Sequence, residues 1–533
     1  MLDLIFQKIH SQGSAEITAN LKRNWYIPIS ALFFYLLNAS NDINYYLGIF
    51  ISVLLTLLLC ALVSDLPGRA RNNRKLQIFS LVNSISICSA LLYTLSGSDF
   101  IWGPSLLLRI ISAVLAVPFV YAGNLLFWSY LPRMIRQICD LTTVKRSEWI
   151  FYAVLLLLSC ALASYAFTNS QAFYGTPHDC DVIYTSDSPA MIRNNVYLAL
   201  TCSENDIRQP LFAVFSAPFM GIPSLISLIP FINGPLIMDY AQIALLLFTF
   251  IMLSMNLGMT IIQRISFVIF NCCTYTYLLS TLMMEQYVIA FFYLILSVCL
   301  ISGNRKSEAA VCAATGSYLV SGALFTLVPD RFQARKILVW FKNTCKYAGS
   351  YLLLILLFGR TDVLINSATS ILFLRQFAGT SISYSDRTYQ YLNFVRSCFL
   401  APDSGNNNGF WQMYPVTAIS WTGIAFLIIA IVGFTVTHKN KMSLLSFAWI
   451  IMSALLLLAI GWGTVENGLI LYCLYFGWSF PVLLFNLMKH AEEKLKTVVI
   501  TPVITVISCI VMMIINIPAL GSMLVFAVSV YPA

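Results

Sequence analysis

Three carboxylates stand where chemistry is possible: Asp187 in SDSP, Asp206 in ENDIRQP and Glu285 in MMEQYVIAFF. Acidic residues are scarce, only 22 among 533, yet Asp179, Asp181, Asp187, Glu204 and Asp206 fall with His178 within one stretch between apolar runs. A carboxylate in such a place can take the proton of an attacking hydroxyl. Plainer roles exist for each. Asp187 could cap a helix beginning near Pro189, and Ser188 could cap it equally well. Asp206 could pair with Arg208, Asp179 and Asp181 read as solvated loop residues, and Asp239 reads as a boundary residue or ion-pair partner.

Cations come from a second polar region, 360–416. LRQFAGTSISYSDRTYQYLNFVRS holds Arg375, Arg387 and Arg396. Arginines in an external loop run against the usual charge bias of membrane proteins and suit an anion, for which a lipid-linked phosphate at the membrane surface is the natural candidate. The plainer reading is that they snorkel to ordinary headgroups. Tyr and Trp faces nearby could pack on sugar rings.

The elements that must position these residues are membrane helices. The chain is 59% hydrophobic and 10% charged, against roughly 25% charged for soluble domains. Apolar runs near 20 residues recur and predict an all-α polytopic membrane protein of about 12–14 spans with helical extracytoplasmic loops. The first residues do not read as a secretory signal. A net charge of +9 reflects Lys and Arg in short loops, where the positive-inside rule places them, so nucleic acid is not expected as a partner. The four histidines are far apart and no CxxC occurs, which argues against a zinc site. Clustered carboxylates permit a divalent cation without requiring one. Cys180 and Cys202 flank the acidic stretch and could pair if it faces an oxidising compartment.

Basic clusters set the topology. PGRARNNRK, PRMIRQICDLTTVKRSEW, HKNK and MKHAEEKLK belong inside. Residues 1–148 form an N-terminal four-helix module, in which Arg109 reads as a structural arginine. Residues 149–330 form a core around an external loop at 169–209, and 331–533 carry the closing helices with the external region 360–416. The loop at 169–209, about 40 residues, is long for a membrane protein and long loops tend to be functional. The apolar stretch 208–232, broken by Pro210, Pro218, Pro223 and Pro230, is expected to re-enter or lie in the interface. Only then do Arg264 and the NRK loop at 304–306 fall on the basic side. The stretch 329–360 is ambiguous between an interfacial helix and a loop plus a span.

A helix, then a long acid-rich external loop, then IRQPLFAVFSAPF resembles the GT-C superfamily of integral-membrane glycosyltransferases over roughly residues 149–303. In that superfamily an essential loop Asp precedes an (H/R)xPL segment. The resemblance implies transfer of a sugar from a polyprenyl-phosphate donor to a glycan or lipid-linked acceptor, at the outer face of the plasma (inner) membrane and within membrane lipids. Asp187 would be the base, with Asp206 or Glu285 assisting, and Arg208, Gln209, Arg375, Arg387 and Arg396 would hold donor phosphate. Two features depart from the pattern: four helices precede the loop, and Gln209 replaces the usual His. No Gly-rich nucleotide loop is present. The rival expectations are a lipid-linked glycan flippase or other transporter, and a surface-polysaccharide polymerase.

Overall fold

The computed structural model describes residues 14–38, 43–62, 73–94, 105–175, 182–184, 186, 188–193, 195–200, 209–305, 309, 312, 337–365, 378–379, 381–464 and 468–533. Helices dominate. In chain order they are α1 Ser14–Asn24, α2 Tyr26–Asn38, α3 Ile43–Leu62, α4 Arg74–Thr94, α5 Leu106–Ile138, α6 Arg146–Asn169, α7 Ser188–Arg193, α8 Phe212–Ile226, α9 Gly234–Asn256 and α10 Ile261–Cys272. Then come α11 Tyr275–Ser280, α12 Gln286–Ser302, α13 Ile337–Leu357, α14 Tyr384–Ser397, α15 Trp421–Thr437, α16 Lys441–Ser453, α17 Cys473–Gly477, α18 Ser479–Leu495 and α19 Ile500–Val530. Among the described residues eight helices are long and apolar enough to cross a membrane and six shorter apolar helices accompany them. The protein is a multi-pass membrane protein.

Local chemistry sets many of these boundaries. Asn233 accepts from the Leu236 amide to open α9, with Pro235 behind it in the first turn. Thr260 and Gln263 form a reciprocal capping box at the start of α10. Lys496, at φ 50°, closes α18 in the left-handed region. Two helices outrun their apolar runs: α5 continues past residue 129 to Ile138, and α19 continues past 517 through Pro518 to Val530.

Polar contacts mark two ends of the bundle. At the basic end, Arg264 pairs with Glu148 at 2.8 Å, and Lys489 donates to the carbonyls of Leu257 and Gly258. Gln263 donates to Glu492, and Lys441 donates to Asn304. The segments 139–148, 257–264, 303–305, 438–441 and 489–497 therefore share this end, the single sidedness that the positive charges imply. At the opposite end Ser170 donates to the Tyr531 carbonyl at 2.7 Å, and Asn233 donates to the Phe167 carbonyl.

The stretch 208–232 does not cross. Its start packs on 197–200, where Ser216 donates to the Tyr197 carbonyl at 2.6 Å. Its finish, Asn233, returns to Phe167 at the same end. Between them α8 is a 15-residue helix carrying Pro218 and Pro223, laid against α4 through the Asn83–Pro218 contact. The ambiguous stretch 329–360 contains α13, which packs along α3: Ser52 donates to the Leu356 carbonyl, and a Cβ on Gly48 would meet the Gly359 carbonyl. Arg109 is structural, its guanidinium 2.7 Å from the Leu92 carbonyl at the end of α4. The expected helix at 308–326 lies outside the described residues, apart from 309 and 312.

Candidate functional site

The two polar regions meet. Val182–Tyr184 lies beside a two-stranded hairpin, β1 Ser404–Asn407 and β2 Phe410–Met413, with Ile183 bridging Trp411. Backbone bonds run in both directions, Tyr184 N–H to Trp411 O and Trp411 N–H to Val182 O, each 2.8 Å. The hairpin follows from Asn408-Gly409, both at positive φ (52° and 88°), the preference of a two-residue turn matching strand twist. The Tyr184 hydroxyl ties the seam together. It lies 2.8 Å from both Tyr275 and Ser404 and receives the Trp411 indole N–H at 3.1 Å. Burial raises its pKa, while the bonds from Ser404, Tyr275 and Trp411 oppose the rise, so it stays a neutral phenol.

Arg360 closes the other side of the loop. Its guanidinium donates to the carbonyls of Leu200 and Pro210 and pairs with Asp362 at 3.1 Å, 1% exposed. A buried fork of this kind holds the two flanks of 201–208 together.

On this base sit two carboxylates, both buried: Glu285, 4% exposed, and Asp239, 0% exposed. Tyr197, from the turn that follows α7, lies within electrostatic reach of both. Its hydroxyl receives the Gln242 amide at 2.6 Å. Burial, then the negative charge of Glu285 and more weakly that of Asp239, push the Tyr197 phenol well above its ordinary range, with the Gln242 bond opposing them. The long loop therefore reaches the carboxylates through Tyr197. Glu285, the residue before α12, also lines a narrow cleft with Thr276, Ser280, Met283, Tyr287 and Leu474. Its wall pairs hydroxyl side chains with Leu and Met.

The residues expected from the sequence separate into three groups. Glu285 is in the cleft. Asp187, Asp206, Arg208 and Arg375, like Cys180 and Cys202, lie outside the described residues. Gln209, Arg387 and Arg396 are placed and show other uses. Gln209 is 3% exposed; its backbone carbonyl receives the Phe212 amide as α8 begins, and its side-chain Oε1 has no partner. Arg387 is 6% exposed, and its fork donates to the carbonyls of Ile382, Ala459 and Gly379. Arg396 pairs with Asp403 at 3.3 Å and donates to the Ala401 carbonyl. These two arginines bind oxygens of the connecting segments 379–382 and 401–403 and of Ala459. Asp239 is neither a boundary residue nor an ion-pair partner: it is fully buried within α9, with no hydrogen bond to either oxygen.

Sequence reasoning missed Tyr197, Gln242 and Arg360. Asp239 and Gln242 share one helix face at i, i+3, a polar pair inside an apolar span that marks a functional candidate. Among the described residues no three His, Cys, Asp or Glu side chains converge. Fold and site together define a multi-pass membrane protein with a buried carboxylate site at the end opposite its basic loops. Comparison with family models, curated proteins and solved structures gives no match.

Proposed function

We propose that the protein is a membrane glycosyltransferase of GT-C type. It moves a sugar from a polyprenyl-phosphate donor to a glycan or lipid-linked acceptor at the extracytoplasmic face of the plasma membrane. The observation that carries the reading is Glu285: a carboxylate in the wall of a cleft, linked through Tyr197 to the long acidic loop, at the end away from the basic segments. Glu285 takes the acceptor hydroxyl proton as that oxygen bonds to the anomeric carbon, and the bond from that carbon to the carrier phosphate breaks. The phosphate leaves with the electron pair and needs cations. Arg208 and Arg375 are the arginines proposed to supply them, since Arg387 and Arg396 are engaged by chain groups. Asp187 and Asp206 remain candidates to share the proton transfer.

The test is turnover by the purified protein in proteoliposomes, against a panel of labelled polyprenyl-phosphate sugars. Losing a positioned base costs on the order of 10²–10⁴ in rate. Glu285→Gln is expected to show that loss with its fold intact, and undiminished turnover would remove Glu285 from the mechanism. Asp187→Asn and Asp206→Asn, assayed alongside, identify any second group.

One observation favours a second reading, a transporter for a lipid-linked glycan. Asp239 is an ionisable residue buried inside a span, as expected where protons or ions move with a substrate. Transport of labelled lipid-linked glycan across the vesicle, with no new glycosidic bond, would establish it.

A further inference from the structure

Asp239 and Gln242 place unpartnered acceptor oxygens inside the bundle. Both residues are 0% exposed, and three of their oxygens, Oδ1 and Oδ2 of Asp239 and Oε1 of Gln242, have no hydrogen-bond partner. The Gln242 amide N–H donates to the Tyr197 hydroxyl at 2.6 Å, and its Oε1 is left without a partner. At i and i+3 the two side chains project from one face of α9. The neighbouring turn is locked, because Tyr240 and Ser164 share a hydroxyl bond of 2.6 Å between α9 and α6. Among the described residues the titratable groups within electrostatic reach of Asp239 are Tyr197 and Cys160, and Glu285 lies within reach of Tyr197. None of them brings a positive charge.

Buried acceptors without donors are costly, and an isolated buried carboxylate more so. A cation satisfies both demands. The ligands on α9 are hard oxygens carrying one formal negative charge, which matches a small monovalent ion. A divalent ion takes 6–8 oxygens, several of them carboxylates, or keeps its waters. We propose that Asp239 and Gln242 bind a sodium ion between α9 and the 195–200 turn. The ion neutralises Asp239 and, through Gln242, fixes the Tyr197 hydroxyl beside Glu285. The proposal is independent of the transferase reading, since the acceptor set exists whatever happens in the cleft.

The test uses the full chain in nanodiscs. Apparent melting temperature is followed by tryptophan fluorescence in sodium, potassium and N-methylglucamine chloride at equal ionic strength and fixed pH. A specific site predicts a saturable rise with sodium alone, on the order of 2 °C at ten times Kd. Asp239→Asn removes the charge and is expected to abolish the response while melting no lower than the wild type in sodium-free buffer. Gln242→Leu, a second variant should Asp239→Asn fail to fold, shifts half-saturation to higher sodium. Equal melting in all three salts overturns the proposal, as does a full sodium response in Asp239→Asn. If the salts are equivalent but acidification stabilises the wild type and not Asp239→Asn, a proton occupies the pocket instead.

Discussion

Replacing Arg387 with Ala separates a framework arginine from a substrate ligand. Its fork joins three carbonyls across the seam where 378–379 meets 461–462: Ile382 at 3.1 Å, Ala459 at 2.9 Å, and Gly379. The Gly379 amide in turn donates to Gly461 at 2.8 Å, and Ala378 bridges Trp462. Hydrogen bonds from a charged donor are each worth about 1.5–3 kcal/mol, and orphaned buried acceptors cost about 1–3 kcal/mol apiece. The contacts overlap, so the loss is not their sum, and roughly 3–5 kcal/mol is expected for Arg387→Ala. Arg387→Lys keeps the charge without the fork and should recover part of this. Melting of the purified variants gives the stability, and initial rates against donor concentration give KM. The expected outcome is a large fall in apparent melting temperature, with KM near normal in whatever protein stays folded. A variant as stable as the wild type whose donor KM rises ten- to a hundredfold would refute the framework role and return Arg387 to the phosphate site.

Further consequences follow from the same contacts. Glu148→Gln leaves Arg264, 12% exposed at the side chain, without its counter-charge. Breaking one partner of a buried pair costs about 3–5 kcal/mol, so unchanged melting would mean that the pair is solvated. Gly461 has φ 76°, and an added Cβ would sit 3.0 Å from the Arg387 Nε. Gly461→Ala should therefore lower the melting temperature in the wild type, and its backbone strain should persist on top of Arg387→Ala, where only the clash is relieved. Tyr184→Phe strips the shared oxygen from Tyr275, Ser404 and Trp411 and should raise protease sensitivity in 182–200 and 404–413, which unchanged cleavage rates there would contradict. In a background without native cysteines, an impermeant thiol reagent applied outside should label Gly175→Cys and spare Asn440→Cys. Labelling of both would break the sidedness argument.

Much of the architecture could be read from the sequence, because the bilayer simplifies the code. Runs of apolar residues must be helices, and the basic clusters assigned their ends. Even the re-entrant 208–232 follows from charge parity, since only that choice puts Arg264 beside Glu148. The site was less legible. Glu285 could be named because it stands at a helix start beside an apolar run, but nothing local says that Tyr197, 88 residues earlier by the printed numbering, comes to its side. The Asn408-Gly409 turn was a readable hairpin signal that the weight of apolar helix around it obscured. Arginine type alone says little: Arg387 and Arg396 look like anion ligands in sequence, whereas carbonyls of the connecting segments and the Asp403 carboxylate engage them in the fold. Asp239 was misjudged because its distance from the membrane boundary depends on where α9 starts, and Asn233 with Pro235 start it early enough to bury the residue.

The central claim is sugar transfer that depends on Glu285, and the glycans of the cell that carries the gene test it most directly. Mass spectra of surface glycans are compared for the intact strain, a deletion, and the deletion complemented with wild type or Glu285→Gln at equal protein level. The account predicts that one sugar residue disappears in the deletion, returns with wild type, and stays missing with Glu285→Gln. Glycans of unchanged composition in the deletion, or a complete glycan accumulating on the inner face, would contradict it.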